Sequence, residues 1–297
     1  MIRTPDDILA RAHGGPKTLI VTAAADPEVL EALQLASERK LVRPVLIGQP
    51  DAIRAAADKA GCSVADMEIV PAESPEASLD IGARMIAEGK GRILMKGLVN
   101  SALFLKVILK KEYGIRRQGL LSHVALFFPK GYDKPMLVTD AALNVFPTFA
   151  DKISILRNAV EVMHQLGVAC PKVALLAHNE MVSDKVPATQ DCARLKEMCQ
   201  SNDIQGCMAE GPIALDVALS AEAGRIKKIT SPVSGDADIL FCPDILSANI
   251  LYKAMVFLGN AHGAAIVVGA NVPIVMTSRS EDAHSKMLSI AFAAGIH

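Results

Sequence analysis

One rhythm dominates the chain. Short, continuous apolar runs alternate with stretches of helical spacing. Thr18-Leu-Ile-Val-Thr-Ala-Ala24 reads as a buried strand, and residues 27–40 as the helix that follows, with Pro27 just inside its start behind Asp26. Residues 43–48, 67–71 and 92–97 repeat the strand pattern. Residues 51–60, 74–89 and 101–113 repeat the helix pattern, the first of them stopped by Gly61. Strands that are apolar along their whole length need cover on both faces of the sheet. Parallel β-α units supply that cover, so the predicted fold class is α/β.

Between residues 119 and 144 the rhythm changes. Leu121-Ser-His-Val-Ala-Leu-Phe-Phe128 and Pro135-Met-Leu-Val-Thr-Asp140 are joined only by Pro129-Lys-Gly-Tyr-Asp-Lys134. That connection has no room for a helical crossover, which predicts an antiparallel pair or a sheet edge. Alternation then returns, with helices over 153–166, 189–200, 215–226 and 249–258. The strands between and after them fall at 172–177, 207–211, 238–242, 263–269 and 273–276. A chain of 297 residues is long for one core, which favours two lobes. The break near residue 145 is the candidate boundary, and pattern alone leaves the last helix to either lobe.

Composition narrows the function. The net charge is -1 with no strong basic block, which argues against nonspecific nucleic-acid binding. No apolar stretch approaches the ~18–20 residues of a membrane span. Asp6 and Asp7 stand where a secretory signal would be apolar. The six cysteines form no C-x-x-C pair, so a zinc ribbon or thioredoxin-like motif is not expected, and a reduced, cytoplasmic setting fits.

Polar clusters punctuate the strand ends, the edge where open α/β sheets bind ligands. They are Lys96-Gly97 with Asn100 and Ser101; Thr139, Asp140 and Asn144; His178-Asn179-Glu180; Glu210-Gly211-Pro212; Ser234 to Asp238; Pro243-Asp244; and Ser278 to Asp282. Each has a structural alternative. Asp140 and Asn144 can serve only to shape a turn. His178 can be a hydrogen-bonded core histidine, and Lys253 a solvated helix residue. No G-x-G-x-x-G, Walker A or H-E-x-x-H pattern is present, and His, Asp and Glu do not cluster at metal-ligand spacing, so no metal is expected.

The stretch Pro273-Ile-Val-Met-Thr-Ser-Arg-Ser-Glu-Asp-Ala-His-Ser-Lys286 is the richest in chemistry. A strand delivers hydroxyls, a guanidinium and two carboxylates onto the start of a helix. Ser278-x-x-Glu281 fits a capping box, in which both side chains serve only the backbone. Arg279 is not needed for a cap. A helix N-terminus favours anions, and an arginine there can hold phosphate in a bidentate fork.

The chain resembles the phosphate acetyltransferase/phosphate butyryltransferase family. The residues that carry the resemblance include Met95-Lys-Gly-Leu-Val-Asn100, Leu121-Ser-His-Val124, Thr139-Asp-Ala-Ala-Leu-Asn144 and Pro171-Lys-Val-Ala174. Further matches are Glu210-Gly-Pro-Ile-Ala-Leu-Asp216, Gly235-Asp-Ala-Asp-Ile-Leu240, Asn249-Ile-Leu-Tyr-Lys253, Gly269-Ala270 and Pro273-Ile-Val-Met-Thr-Ser-Arg-Ser280. The short length and the Met95-Lys-Gly-Leu-Val form resemble the butyryltransferase branch more than the acetyltransferase branch.

That resemblance implies two α/β/α lobes with a cleft between them, similar to the isocitrate/isopropylmalate dehydrogenase fold. Residues 1–145 and 270–297 would form the first lobe and 146–269 an inserted second lobe. It implies a homodimer or higher homo-oligomer that converts a short-chain acyl-CoA, butyryl or acetyl, and phosphate to acyl phosphate and CoA. Coenzyme A is then substrate or product, with no tightly bound cofactor. The family's catalytic serine and arginine fall on Ser278 and Arg279, and its catalytic acid on Glu281 or Asp282. Asp282 is the first choice, because Glu281 fits the capping box. Lys96, Thr139, Asp140, Asn144, Asp236, Asn249 and Lys253 are the expected substrate-binding residues. Two alternatives stand beside this reading. One is a decarboxylating NAD(P)-dependent dehydrogenase of the isocitrate/isopropylmalate type, and the other is a non-catalytic acyl-CoA-binding protein.

Overall fold

Helices begin in this chain where a side chain can satisfy the orphan amides of a first turn. Asp26 accepts from the amides of Glu28 and Val29, Ser74 from Ala77, Asn100 from Ala102 and Leu103, and Asp244 from Ser247. Thr148 and Asp151 cap each other's backbone reciprocally. A computed structural model describes residues 2–12, 14–117, 119–278 and 281–296.

In chain order the elements are α1 (Pro5–Ala12), β1 (Lys17–Thr22), α2 (Pro27–Glu38), β2 (Val42–Gly48), α3 (Pro50–Ala60), β3 (Glu68–Pro71), α4 (Pro75–Ala87), β4 (Ile93–Lys96) and α5 (Ser101–Ile108). After a 3-10 turn at Lys111–Tyr113 come β5 (Ser122–Phe128), β6 (Met136–Thr139), α6 (Phe149–Gln165), β7 (Lys172–Leu176), α7 (Pro187–Gln200) and β8 (Met208–Ile213). The chain closes with α8 (Leu215–Leu219), α9 (Ala221–Ile226), β9 (Ile239–Phe241), α10 (Ile245–Phe257), β10 (His262–Val268), β11 (Ile274–Val275) and α11 (Ala283–Gly295). The fold is mixed α/β.

Contacts divide the chain into two compact units. The terminal unit combines Pro5–Gly119 with Ala264–His297. The middle unit combines Leu120–Gly263 with Met1–Thr4. In the terminal unit the strand order is β3-β2-β1-β4-β11-β10; all pairs are parallel except β10 with β11. In the middle unit the order is β5-β6-β9-β7-β8, with β5 and β6 antiparallel, as the short 129–134 connection predicts, and the other pairs parallel.

Helix α11 belongs to the terminal unit, and Lys286 through Ala294 are buried there without interruption. Such an all-round apolar surface marks a helix covered on every side.

One helix goes beyond the sequence expectations, and two expectations are corrected. Residues 5–12 form a helix that periodicity over so short a span does not reveal; Asp6 and Asp7 occupy its first turn, and Arg11 donates to the Gly295 carbonyl at 3.1 Å. The helix predicted over 215–226 is two helices, because Ser220 is extended (φ -133, ψ 115) and its hydroxyl accepts from Ala223 to start the second. The strand predicted to stop at Gly211 runs on to Ile213. Pro212 is tolerated there because β8 pairs only with β7 among the described strands.

The chain order reverses direction at β1, with β2 and β3 to one side and β4 to the other. That switch point opens the crevice where ligands bind in such sheets. Gly97 sits in it, directly after β4. A Cβ there would lie 2.3 Å from the Ala23 carbonyl oxygen and 2.7 Å from that of Thr22. Both oxygens are fixed, since Ala23 O accepts from Leu98 N at 2.8 Å and Thr22 O from Gly97 N at 2.9 Å. Gly97→Ala is therefore expected to lose about 1–3 kcal/mol in a urea unfolding titration, the range for an overpacked site. An unchanged midpoint would show that the crossing has slack.

Candidate active site

In the terminal unit, β11 runs parallel to β4 with Ile274 opposite Leu94 and Val275 opposite Met95. That register carries the segment after Val275 to the same sheet edge as Lys96. Lys96 is buried, and its ammonium donates to the carbonyls of Gly97 (3.2 Å) and Val99 (3.1 Å). It holds the loop at the switch point in shape. Beside this loop lies a cavity of about 210 Å³ lined by Ala23, Ala24, Ala25, Gly48, Ser74 and Leu98, among others.

The Glu281 half of the capping box expected with Ser278 is present, but Ser278 is not the N-cap of the helix. Helix α11 starts at Ala283 and its N-cap is Asp282, which accepts from the Ser285 amide at 2.8 Å. Ser278 precedes the helix by a full turn. Its amide donates to Glu281 Oε1 at 3.2 Å, and the Glu281 amide donates back to the Ser278 carbonyl at 3.3 Å. Asp282 wins the cap because an aspartate at that position reaches the amide three residues on without losing rotamer freedom in a long side chain. Ser278 itself is exposed. Arg279 lies outside the described residues, as does Ser280.

Lys286, which nothing in the sequence marks as a site residue, anchors the whole corner. It is 2% exposed. Its ammonium pairs with Glu28 Oε2 at 3.0 Å and donates a short bond to the Glu281 carbonyl. A lysine next to a run of acids looks like an ordinary surface charge in sequence; only its burial reveals the role. Asp282 is held below the usual carboxylate range, chiefly by the Ser285 amide, with the charges of His284 and Lys286 adding to it and burial opposing.

The middle unit brings together Thr139, Asp140, Asn144 and Asn249. Thr139 is fully buried at the end of β6 and donates to the His123 carbonyl at 2.9 Å. Asp140 closes the turn after it: one oxygen accepts from Ala142 and Leu143, both at 3.0 Å, and the other from Asn144 Nδ2 at 2.5 Å. Asn144 also donates to the Leu121 carbonyl at 2.8 Å, and Asn249 on α10 donates to that of Ala141 at 3.0 Å. Lys253, one turn further along α10, is exposed and has no hydrogen-bond or ion-pair partner among the described residues.

Asp236 is not part of this group. It precedes β9 and so lies at the opposite, N-terminal edge, where it pairs with Lys134 at 2.6 Å and makes a short bond to Lys172. The remaining strand-end acids also serve the backbone or a neighbouring ammonium. Glu180 accepts from Ala214 and pairs with Lys227, while Glu210 pairs with Lys196 at 2.6 Å.

His123, in the Leu121-Ser-His-Val124 motif, follows the start of β5. It is buried, its ring meets Tyr252 edge-on with centroids 5.9 Å apart, and Nδ1 has no partner among the described residues. Burial pushes its pKa below the ordinary value and outweighs the opposing pull of Asp140, so the ring is neutral at pH 7.

The Asp282 cap gives a pH-dependent test. Its folded-state pKa is depressed, so the stability it adds is present above the unfolded value of roughly 3.9 and is lost as pH falls through the folded value. Asp282→Ala is expected to cost about 1 kcal/mol at pH 7. The gap between variant and parent should close in acid unfolding curves; a gap that is constant with pH would remove the carboxylate from the cap.

With the geometry in place, comparison identifies the relatives. The family described as "Phosphate acetyl/butaryl transferase" matches residues 76–294. A phosphate butyryltransferase from Clostridium beijerinckii is 37% identical over 295 residues, covering 99% of this chain and 98% of that protein. A probable phosphate butyryltransferase from Bacillus subtilis is 40% identical over 277 residues, covering 93% and 92%. The crystal structure of a branched-chain phosphotransacylase from Enterococcus faecalis V583 superposes with a TM-score of 0.84 at 32% identity, over 95% of this chain and 99% of that one. On these matches the chain belongs to the phosphate acetyl/butyryl transferase family, with phosphate butyryltransferases among its near relatives.

Proposed function

We propose that the 278–286 corner carries phosphate acyl transfer on a short-chain acyl-CoA. The chain is a phosphate acyltransferase, converting acyl-CoA and phosphate to acyl phosphate with release of CoA. The observation that supports the corner is its construction. Ser278 stands exposed in the segment that leads into α11, which the buried Lys286 ties down through the Glu281 carbonyl.

In this reading phosphate attacks the thioester carbonyl directly. Arg279 binds the phosphate and offsets its charge. Ser278 donates a hydrogen bond to the developing oxyanion or to the departing thiolate. In the opposite direction Asp282, or Glu281 beside it, takes the proton of the CoA thiol. A carboxylate is a weak base for a thiol of pKa ~8.5. The depressed pKa of Asp282 and its bond to Ser285 widen that mismatch. Most of the lowering must then come from the thiolate side, through Arg279 and the positive end of the α11 dipole.

Lys96, Thr139, Asp140, Asn144, Asn249 and Lys253 are proposed to shape and line the substrate site, with Lys253 the cation best placed to meet an anionic group because it is exposed and has no hydrogen-bond or ion-pair partner among the described residues. Asp236 was expected among them; its ion pairs with Lys134 and Lys172 support a structural part instead. The two-lobe dehydrogenase-like arrangement, a homodimer and residence in the cytoplasm belong to the same reading and rest on the family resemblance.

The test is phosphate-dependent CoA release from acetyl-, propionyl-, butyryl- and longer acyl-CoAs. Turnover with at least one short chain is expected, and none with any chain length would overturn the activity. Arg279→Ala should lower the rate by about 10²–10³ and weaken the response to phosphate. Near-normal turnover with the same phosphate dependence would take Arg279 out of the reaction.

A further inference from the structure

Cys199 and Cys207 meet where the end of α7 approaches the start of β8. Their sulfurs are 3.6 Å apart, and each residue is 9% exposed. No other pair among the described cysteines is placed this way; Cys192 and Cys242 are buried separately and Cys170 stands exposed. The backbone on each side is fixed. The Gly206 carbonyl is held by His164 Nε2 at 2.7 Å, and Met208 N donates to the Pro171 carbonyl at 3.0 Å. On the helix side Ile204 N donates to the Met198 carbonyl at 3.0 Å. Gly206 (φ 72) makes the turn possible, and a Cβ there would strike the His164 ring at 2.6 Å.

Both cysteines also line a cavity of about 380 Å³, together with Lys196, Glu210 and Val233. A small polar reagent therefore has a route to sulfurs that are otherwise buried. A disulfide needs the sulfurs at about 2.05 Å, so the 3.6 Å gap has to close by roughly 1.5 Å.

We propose that Cys199 and Cys207 form a reversible dithiol–disulfide site that takes a hydroperoxide as its oxidant. The roles are unequal. At this separation either thiol can donate to the other; with Cys207 ionised the Cys199 thiol donates to it, which pulls Cys207 below the ordinary thiol value and pushes Cys199 up. The Cys207 thiolate attacks the outer peroxide oxygen. The O–O bond breaks, the alcohol (water, from hydrogen peroxide) leaves with a proton, and Cys207 becomes a sulfenic acid. The Cys199 sulfur then attacks the Cys207 sulfur. The S–S bond forms, the S–O bond breaks, and hydroxide leaves with the Cys199 proton as water. Two thiols lose two electrons and two protons, and the peroxide is reduced to alcohol and water. The bridge would pin the edge strand β8 to α7.

The site lies at the N-terminal edge of the middle unit's strands, since Cys207 directly precedes β8, while Thr139 and Asp140 follow the end of β6. Within the middle unit it is thus at the opposite strand edge from Thr139 and Asp140.

The test uses the full chain with about one equivalent of hydrogen peroxide, quenching by alkylation, and peptide mass spectrometry. A Cys199–Cys207 linkage is expected to form about tenfold faster than oxidation of Cys192 or Cys242, and dithiothreitol should reverse it. In Cys199→Ser a sulfenic acid should persist at Cys207 and be trapped by dimedone. In Cys207→Ser, Cys199 should react no faster than Cys192. If both thiols remain alkylatable after Cys170 has been oxidised, or if the trapped sulfenic acid sits on Cys199, the proposal is overturned.

Discussion

A lysine ammonium almost without water sets the geometry of the C-terminal corner. A buried charge left without partners costs several kcal/mol, so Lys286 cannot stay where α11 places it unless something answers it. Glu28 answers with a carboxylate and Glu281 with a carbonyl. One residue is in the first turn of α2 and the other in the turn before α11, so the single charge ties two helix starts together. With that tie made, the rest of the turn follows. The Glu281 carboxylate reaches back to the Ser278 amide, and Asp282 is left to cap α11. Ser278 is then held in the segment ahead of α11 by the Glu281 carboxylate.

The same economy governs the middle unit. Asp140 spends both oxygens on its own turn and on Asn144, and Asn249 fixes the Ala141 carbonyl. These residues carry the family resemblance, yet their visible work is to hold loop backbone in one conformation. Preorganisation of this kind is a contribution to catalysis, because atoms already in place need no reorganisation when substrate arrives. The structural and functional readings weighed for Asp140 and Asn144 are therefore compatible: a turn-shaping residue can be what a substrate loop requires.

Most of the fold was legible in the sequence, for a physical reason. A strand buried on both faces must be apolar throughout, and a helix over a sheet must repeat at its own period, so the β-α alternation and the antiparallel β5–β6 pair could be read from local pattern. What escaped was decided by short-range competition. Residues 5–12 are too few to show a period, and Ser220 could equally continue a helix or cap one. Pro212 could end a strand or ride on an edge. At the site, Ser278 and Arg279 could be singled out by residue type and resemblance. Lys286 and His123 could not, because a buried charge and an unpaired imidazole nitrogen look in sequence like any lysine or histidine.

By itself the sequence determined the α/β class, the family, and the residues that bring hydroxyl, guanidinium and carboxylate together. Those depend on composition and spacing within a few residues, which the chain carries wherever it goes. Only the tertiary structure decided which carboxylate caps α11, that Lys286 is the anchor, that Asp236 lies at the far edge from Thr139, and that Cys199 meets Cys207. Each of these turns on which backbone amide or which burial a side chain finds once distant segments have packed, and no local pattern records that.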